Sequence, residues 1–178
     1  MPCSVFIATS LDGYIARPDG GIDWLPVPSG DDEAEDHGYG AFVSGIDAIV
    51  MGRNTYELVL TFGSWPFTKP VVVLTSRALE LGPEIAGKVV TMSGTPEYIV
   101  GACAARGWKS LYIDGGVTIQ RFLAAGLIDR LIVTRVPVLI GRGLPLFGAL
   151  EQDIRMEHQR TKAYANGLVQ SEYRVLRA

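Results

Sequence analysis

The chain has 178 residues, 48% of them apolar and 20% charged, with a mean hydropathy of +0.22. This composition suits a globular chain that buries its own core and excludes an intrinsically disordered one. Sixteen basic against nineteen acidic residues leave a formal charge of −3, so no global basic field is offered to nucleic acid or an anionic membrane. Cys3 and Cys103 stand singly, without metal-ligand spacing, which fits a reducing compartment and no structural metal. The N-terminus reads directly as a strand, with no basic leader, and no apolar run is long enough to cross a bilayer. A single cytoplasmic domain over residues 1–178 is expected.

Along the chain, Ser4–Thr9 is a short apolar strand, followed by a loop with turn signals at Asp12-Gly13 and Asp19-Gly20-Gly21. The loop runs on through Trp24 to Pro26 and Pro28. Asp32 to Ser44 suits a helix with acids in its first turn. Ile46–Met51 is a buried strand, Thr55–Leu60 a short helix, and Val71–Thr75 and Lys88–Thr91 are strands. Pro96 at the first helical position opens a helix to about Arg106. Ser110–Ile113 is a strand, Val117–Ala125 a helix closed by Gly126, and Ile128–Val136 a long strand stopped by Pro137. Ile154–Tyr164 and Leu168–Leu176 flank Ala165-Asn166-Gly167 and read as an antiparallel hairpin. Alternating strands and helices predict an α/β fold, a mostly parallel sheet with that hairpin as its antiparallel edge.

Three strand ends carry the chemistry. Val50-Met51-Gly52-Arg53-Asn54-Thr55-Tyr56, Val73-Leu74-Thr75-Ser76-Arg77 and Tyr112-Ile113-Asp114-Gly115-Gly116-Val117 each pass from an apolar run into small, hydroxyl or basic residues. Ligands of such sheets sit at the carboxyl ends of the strands, so the three motifs fall on one rim. Paired glycines at a helix start let a diphosphate approach main-chain N–H groups, where the helix dipole favours negative charge. A tight strand-to-helix turn explains the same glycines equally well.

The order of these segments resembles the dihydrofolate reductase-like fold, a three-layer α/β/α arrangement. Most closely it is similar to bacterial stand-alone relatives of the C-terminal reductase domain of the riboflavin-biosynthesis protein RibD. The resemblance covers nearly the whole chain and rests on four blocks: Phe6–Ala16, Met51–Tyr56, Asp114–Gly116 and Pro137–Phe147. It implies a reductase that passes hydride from NADPH to a small nitrogen heterocycle of aminouracil or pterin type. By the same resemblance, Gly52, Arg53, Asn54 and Thr55 hold the diphosphate and the adenosine side, while Ser76 and Arg77, after Thr75, reach the 2′-phosphate. Gly115 and Gly116 lie against the diphosphate through a cis peptide, with Ile113, Val117 and Thr118 beside them. Ala8 and the loop from Ala16 to Trp24 flank the nicotinamide. Val117 departs from the family, which often carries an arginine there.

Reduction of a C=N bond also needs a proton, and a buried carboxylate with a raised pKa can help deliver it. The family places such an acid on the first helix, bonded to a hydroxyl of the long strand. Asp36 and Thr134 occupy those places as the expected catalytic pair. Asp31, Asp32, Glu33 and Glu35 around Asp36 read as solvated partners of a helix dipole. Trp24, His37 and Lys69 are the expected substrate contacts. Lys69 stands where an arginine usually clamps the folate tail, and Ile119 replaces a tyrosine near the pterin, so a smaller heterocycle than folate is implied. Trp65-Pro66-Phe67 walls the substrate pocket or anchors a loop, and Cys103 fills the core. Arg135 points away from Thr134 by strand alternation, and His158 has no assigned role. The apolar runs 128–133 and 137–140 suit a homodimer interface or a buried central strand alike. A nucleotide-binding protein without turnover, a sensor or structural dimer, is the alternative function.

Overall fold

The computed structural model describes residues 1–26 and 36–177. In its first half, β1 (Cys3–Ser10) and β2 (Tyr14–Ala16) precede α1 (Tyr39–Ser44), β3 (Ala48–Gly52), α2 (Arg53–Leu60) and β4 (Val71–Leu74). The second half holds β5 (Val89–Met92), α3 (Pro96–Ala105), β6 (Leu111–Asp114), α4 (Gly116–Ala124), β7 (Arg130–Val136), β8 (Leu144–Pro145), β9 (Met156–Ala163) and β10 (Val169–Val175). Eight strands form one sheet in the order β5-β4-β3-β6-β1-β7-β10-β9. Pairing is parallel as far as β7, and the β9–β10 hairpin then joins it antiparallel. This is the α/β sheet with an antiparallel end that the sequence predicts.

Burial explains why these segments are strands. Ala48, Ile49, Val50 and Met51 of β3 are all fully buried, as are Val71, Val72 and Val73 of β4. A parallel strand covered on both faces needs such unbroken apolar sequence, and each aliphatic side chain removed from water contributes roughly 1.5–3 kcal/mol. One face of the sheet packs Val5, Val50, Val72 and Ile113 against Ile99 and Cys103 of α3 and Ile119 and Phe122 of α4. The other packs Ile49, Met51, Val73 and Tyr112 against Phe42 of α1 and Tyr56 of α2. Three layers result.

Two elements differ from expectation. Within the described residues the first helix begins at Tyr39, because His37 and Gly38 have φ of 52° and 84°, a left-handed conformation through which no α-helix continues. The acids at 31, 32, 33 and 35, like Pro28, lie outside the described residues. The second is a small antiparallel ladder that the sequence reading lacks. Tyr14 pairs with Pro145 and Ala16 with Leu144, which brings the first loop across the start of α4. A Cβ on Gly116 would meet Ile15 Cδ1 at 2.6 Å and the Pro145 carbonyl oxygen at 3.6 Å.

The sheet is not covered evenly. On the α3/α4 side the layer stops short of β7, β10 and β9, leaving an open groove of about 570 Å³. Leu123, Leu131, Val133, Phe147, Met156 and Tyr173 line it, with Arg135 also in its wall, on the face away from Thr134 as alternation predicts. Among the described residues no helix is long and apolar enough to cross a membrane.

Candidate active site

The carboxyl ends of β3, β4 and β6 lie side by side, since Gly52 pairs with Leu74 and Met51 with Asp114. Two helices start there. Gly52 is the N-cap of α2 and Gly115 the N-cap of α4, and neither helix receives a side-chain cap. The two starts interlock: a Cβ on Gly115 would lie 2.3 Å from Thr55 Oγ1, and one on Gly52 would lie 3.2 Å from Thr118 Oγ1. Gly115 also has φ +85°, so a side chain there would be strained as well as crowded. The other two helices are different. Thr95 Oγ1 accepts the Tyr98 N–H at the head of α3, and the Asp36 carboxylate accepts the N–H groups of Gly38 and Gly40 at the head of α1. Among the described residues no side chain takes up the first-turn N–H groups of α2 and α4, which face one rim, an arrangement that suits an anion.

Around this rim the expected cofactor residues are placed as follows. Ile113 is buried under it in the core and Thr118 is buried on α4, while Asn54 and Val117 are exposed on the first turns. Arg53 donates from Nε to Glu57 Oε1 at 2.6 Å, an ion pair along its own helix. Thr75 shapes the end of β4, its hydroxyl bonding the N–H and the carbonyl of Arg77. Ser76 and Arg77 project exposed beside it. Ala16 is buried in the small ladder over α4. Among the described residues all peptide bonds are trans, so the cis peptide expected at the glycines is not present. The positive φ of Gly115 turns the chain instead.

The acid side needs more correction. Asp36 does not hold a raised pKa. Its carboxyl lies below the usual carboxylate range because the N–H groups of Gly40 and Gly38 bond its charged form, at 2.7 and 2.8 Å. It makes no bond to Thr134. Thr134 Oγ1 instead accepts from Gln170 Nε2 at 3.0 Å, and the same nitrogen donates to the His37 carbonyl at 3.1 Å. The carboxyl that burial pushes up, to about 6, is Asp114. It stands partly buried at the end of β6, where it accepts the Gly115 N–H at 2.8 Å. Tyr112, on the same face of that strand, donates its hydroxyl to the Phe6 carbonyl at 2.8 Å. Burial raises both Tyr112 and Tyr39, and the Asp114 charge adds to the effect. Asp114 belongs to the quoted glycine motif, but sequence alone does not tell how much water it loses.

Of the expected substrate residues, Trp24 and His37 both pack on the cluster around Tyr164, and Lys69 lies apart from them. Trp24 packs with Ala8 in a cluster built on Val136, Tyr164 and Leu168, and its indole N–H has no acceptor among the described residues. His37 packs edge-on to Tyr164 at 4.6 Å between ring centroids. Lys69 precedes β4 at the opposite, amino-terminal edge of the sheet, in the field of Asp47. About 20 Å of strand separate it from Thr75. Trp65 and Phe67 pack on the core beside Tyr56 rather than at the rim. His158 pairs with Thr161 on the hairpin at 2.7 Å.

Comparison with known proteins agrees with this architecture. The structure superposes on a Shewanella sp. PV-4 protein assigned to riboflavin biosynthesis with a TM-score of 0.92, at 42% identity over 99% of this chain and 100% of that one. A Thermotoga maritima diaminohydroxyphosphoribosylaminopyrimidine deaminase/5-amino-6-(5-phosphoribosylamino)uracil reductase matches at TM-score 0.75 and 15% identity, over 98% of this chain and 56% of that chain. Dihydrofolate reductase from Enterococcus faecalis, complexed with NADP(H), matches at 0.67 and 18% identity, over 98% and 96%. These last two share the fold. The model of the RibD C-terminal domain matches residues 3–170, and the chain belongs to that family.

Proposed function

We propose that this protein is an NADPH-dependent reductase of a small nitrogen heterocycle, of aminouracil or pterin type. The observation that carries the proposal is the pair of uncapped helix starts meeting at Gly52 and Gly115, with Ser76 and Arg77 at the adjoining strand end. Main-chain N–H groups of α2 and α4 would hold the diphosphate, and Arg77 offers a planar fork to a 2′-phosphate. Ala8 and the loop carrying Ala16 and Trp24 would flank the nicotinamide. Bound there, NADPH would supply the hydride. A carboxyl near 6 is partly protonated at neutral pH, so Asp114 is the better placed of the two acids to hold a proton for the ring nitrogen. Asp36 would keep the head of α1 in position over Thr134. Family membership and the reductases that share the fold support this reading.

Calorimetric titration with NADPH and NADH in parallel tests it. NADPH is expected to bind at least tenfold more tightly. Equal affinity would remove Ser76 and Arg77 from the site, and no binding of either would sink the reductase reading. Binding without oxidation by any aminouracil or pterin would favour a protein without turnover. The reading includes a homodimer in which a second copy covers the open groove. The groove's lining holds one carboxylate, Asp12, and one guanidinium, Arg135, beside exposed Leu11, Phe147 and Leu150, a self-complementary set. A monomer in sedimentation at micromolar concentration would refute it.

A further inference from the structure

A second cavity, of about 150 Å³, lies between the turn before α1 and the β9–β10 hairpin. β10 is three strands from β6 and its glycines, about 14 Å at the usual strand spacing. Register builds one wall. Gln170 pairs with Lys162 and Glu172 with Arg160, so these four side chains share a face of the hairpin. Tyr164, His37 and Gly38 complete the lining. Gln170 Nε2 and the Tyr164 hydroxyl both donate to the His37 carbonyl, at 3.1 and 3.3 Å, and hold His37 at a φ of 52° that few non-glycine residues adopt. The charge of the lining is unbalanced. Its acid, Glu172, has both oxygens taken, Oε1 by Arg130 Nε at 2.6 Å and Oε2 by Arg160 Nε at 2.7 Å. The bonds from Arg130 and Arg160 hold this carboxyl below the usual carboxylate range. Arg160 spends only Nε on the pair, and its two Nη groups have no acceptor among the described residues. Lys162 keeps its ammonium 4.2 Å from the centre of the Tyr164 ring, a cation–π contact at the cavity wall. Two cations thus stand beside one neutralised carboxylate, in a chain of net charge −3.

We propose that this cavity is a site for a small oxyanion, a phosphate or the phosphate group of a monoester, held by the Arg160 guanidinium and the Lys162 ammonium. Arg offers phosphate a planar fork of N–H donors, and Lys adds a point charge. Glu172 fixes the Arg160 Nε and so orients that fork, while Arg130 cancels the repulsion that the carboxylate would exert on an anion. Size agrees with the charge. Whole organic ligands fill roughly 300 Å³ or more, whereas a tetrahedral anion fits the space present here. Neither cation belongs to the glycine rim, so the site does not depend on the reductase reading.

The two histidines of the chain make the test local. His37 lines the cavity, whereas His158 pairs with Tyr173 on the groove side of the hairpin. Imidazole resonances of the whole protein are followed by NMR while sodium phosphate is added at constant ionic strength and about pH 8, where phosphate is mostly a dianion. The His37 signals should move saturably and those of His158 should stay. Arg160→Gln and Lys162→Gln should each weaken phosphate about fivefold, and the double variant roughly twentyfold. Both side chains are exposed, so the variants should keep the parental Tm, measured alongside. Arg174→Gln removes the same charge at the far end of β10 and should change the affinity less than about twofold. An equal loss there would reduce the effect to general surface charge and overturn the proposal. Three other results overturn it as well: a still His37, a titration that survives in the double variant, or one abolished by Arg77→Gln, which would put the anion at the rim. Glycerol 2-phosphate separates the two sources of the anion. Tighter binding than free phosphate assigns the cavity to one end of a larger ligand, and equal binding assigns it to phosphate itself. NADPH affinity of the double variant should match the parent, so either reading can fail without the other.

Discussion

The heads of α2 and α4 and the heads of α1 and α3 are built from the same backbone and finished in opposite ways. At α1 and α3 a side chain, Asp36 or Thr95, takes up first-turn N–H groups. At α2 and α4 no side chain among the described residues takes them up. Capping satisfies a helix end within the chain, whereas an end left open at a shared rim keeps its N–H groups for water or an anion. The caps are what distinguish the helix heads.

The largest effect should come from closing the open end. Gly115→Ala places a Cβ 2.3 Å from Thr55 Oγ1 at a φ of +85° and should destabilise the fold by roughly 2–3 kcal/mol. NADPH binding should be lost, read by calorimetry at a temperature where the variant is folded. Retained affinity would show that the glycine serves only the turn.

Next comes Asp114, which separates the rim's acid from the capping acid. Asp114→Asn should lower turnover of an accepted heterocycle about a hundredfold while NADPH affinity stays nearly constant. Stability gives a second readout with a definite sign. The carboxyl rises from 3.8 to about 6 on folding, so between those values the folded protein holds a proton that the unfolded chain has released. Stability should therefore fall as pH rises from about 4 to about 6. The Asn variant should lack that slope, matching the parent near pH 4 and exceeding it in Tm near pH 8. A variant with the parental slope would show that Asp114 is well hydrated.

The smallest effect is the control. Thr95→Ala removes a cap at α3 and should cost about 1 kcal/mol in denaturant unfolding. NADPH affinity should not change. A large loss of affinity there would erase the distinction between capped and open ends.

How much of this was legible in the sequence depends on how far apart the partners lie. The rim was readable because each part of it is local: an apolar strand, a glycine, a helix start, with nothing more than adjacency of parallel strands needed to join them. The resemblance places Asp36 as the acid of the first helix, but a position says nothing about the bonds a carboxylate makes, and two backbone N–H groups at its own helix start claimed it. Gln170 carried no signal. It meets Thr134 because β10 pairs antiparallel with β7, a register set by the hairpin turn and the strand's own alternation. The β2–β8 ladder was invisible for another reason. Strands of three and two residues are too short to show a period, and their partners are about 130 residues apart. The head of α1 failed by composition, since acids suited to a first turn say nothing of the left-handed pair His37-Gly38 that delays it.

The strand order has a consequence for exchange of parts. The rim of glycine, hydroxyl and basic residues belongs to β3, β4 and β6, all on one flank of β1, whereas Thr134 and Gln170 belong to β7 and β10 on the other. β1 is the seam between them, with Ala8 on it. On the proposed reading, exchanging the last third of the chain would replace β7 and β10 and leave the glycine-bearing ends of β3, β4 and β6 as they are. A fold arranged in this way is a socket with a replaceable bit.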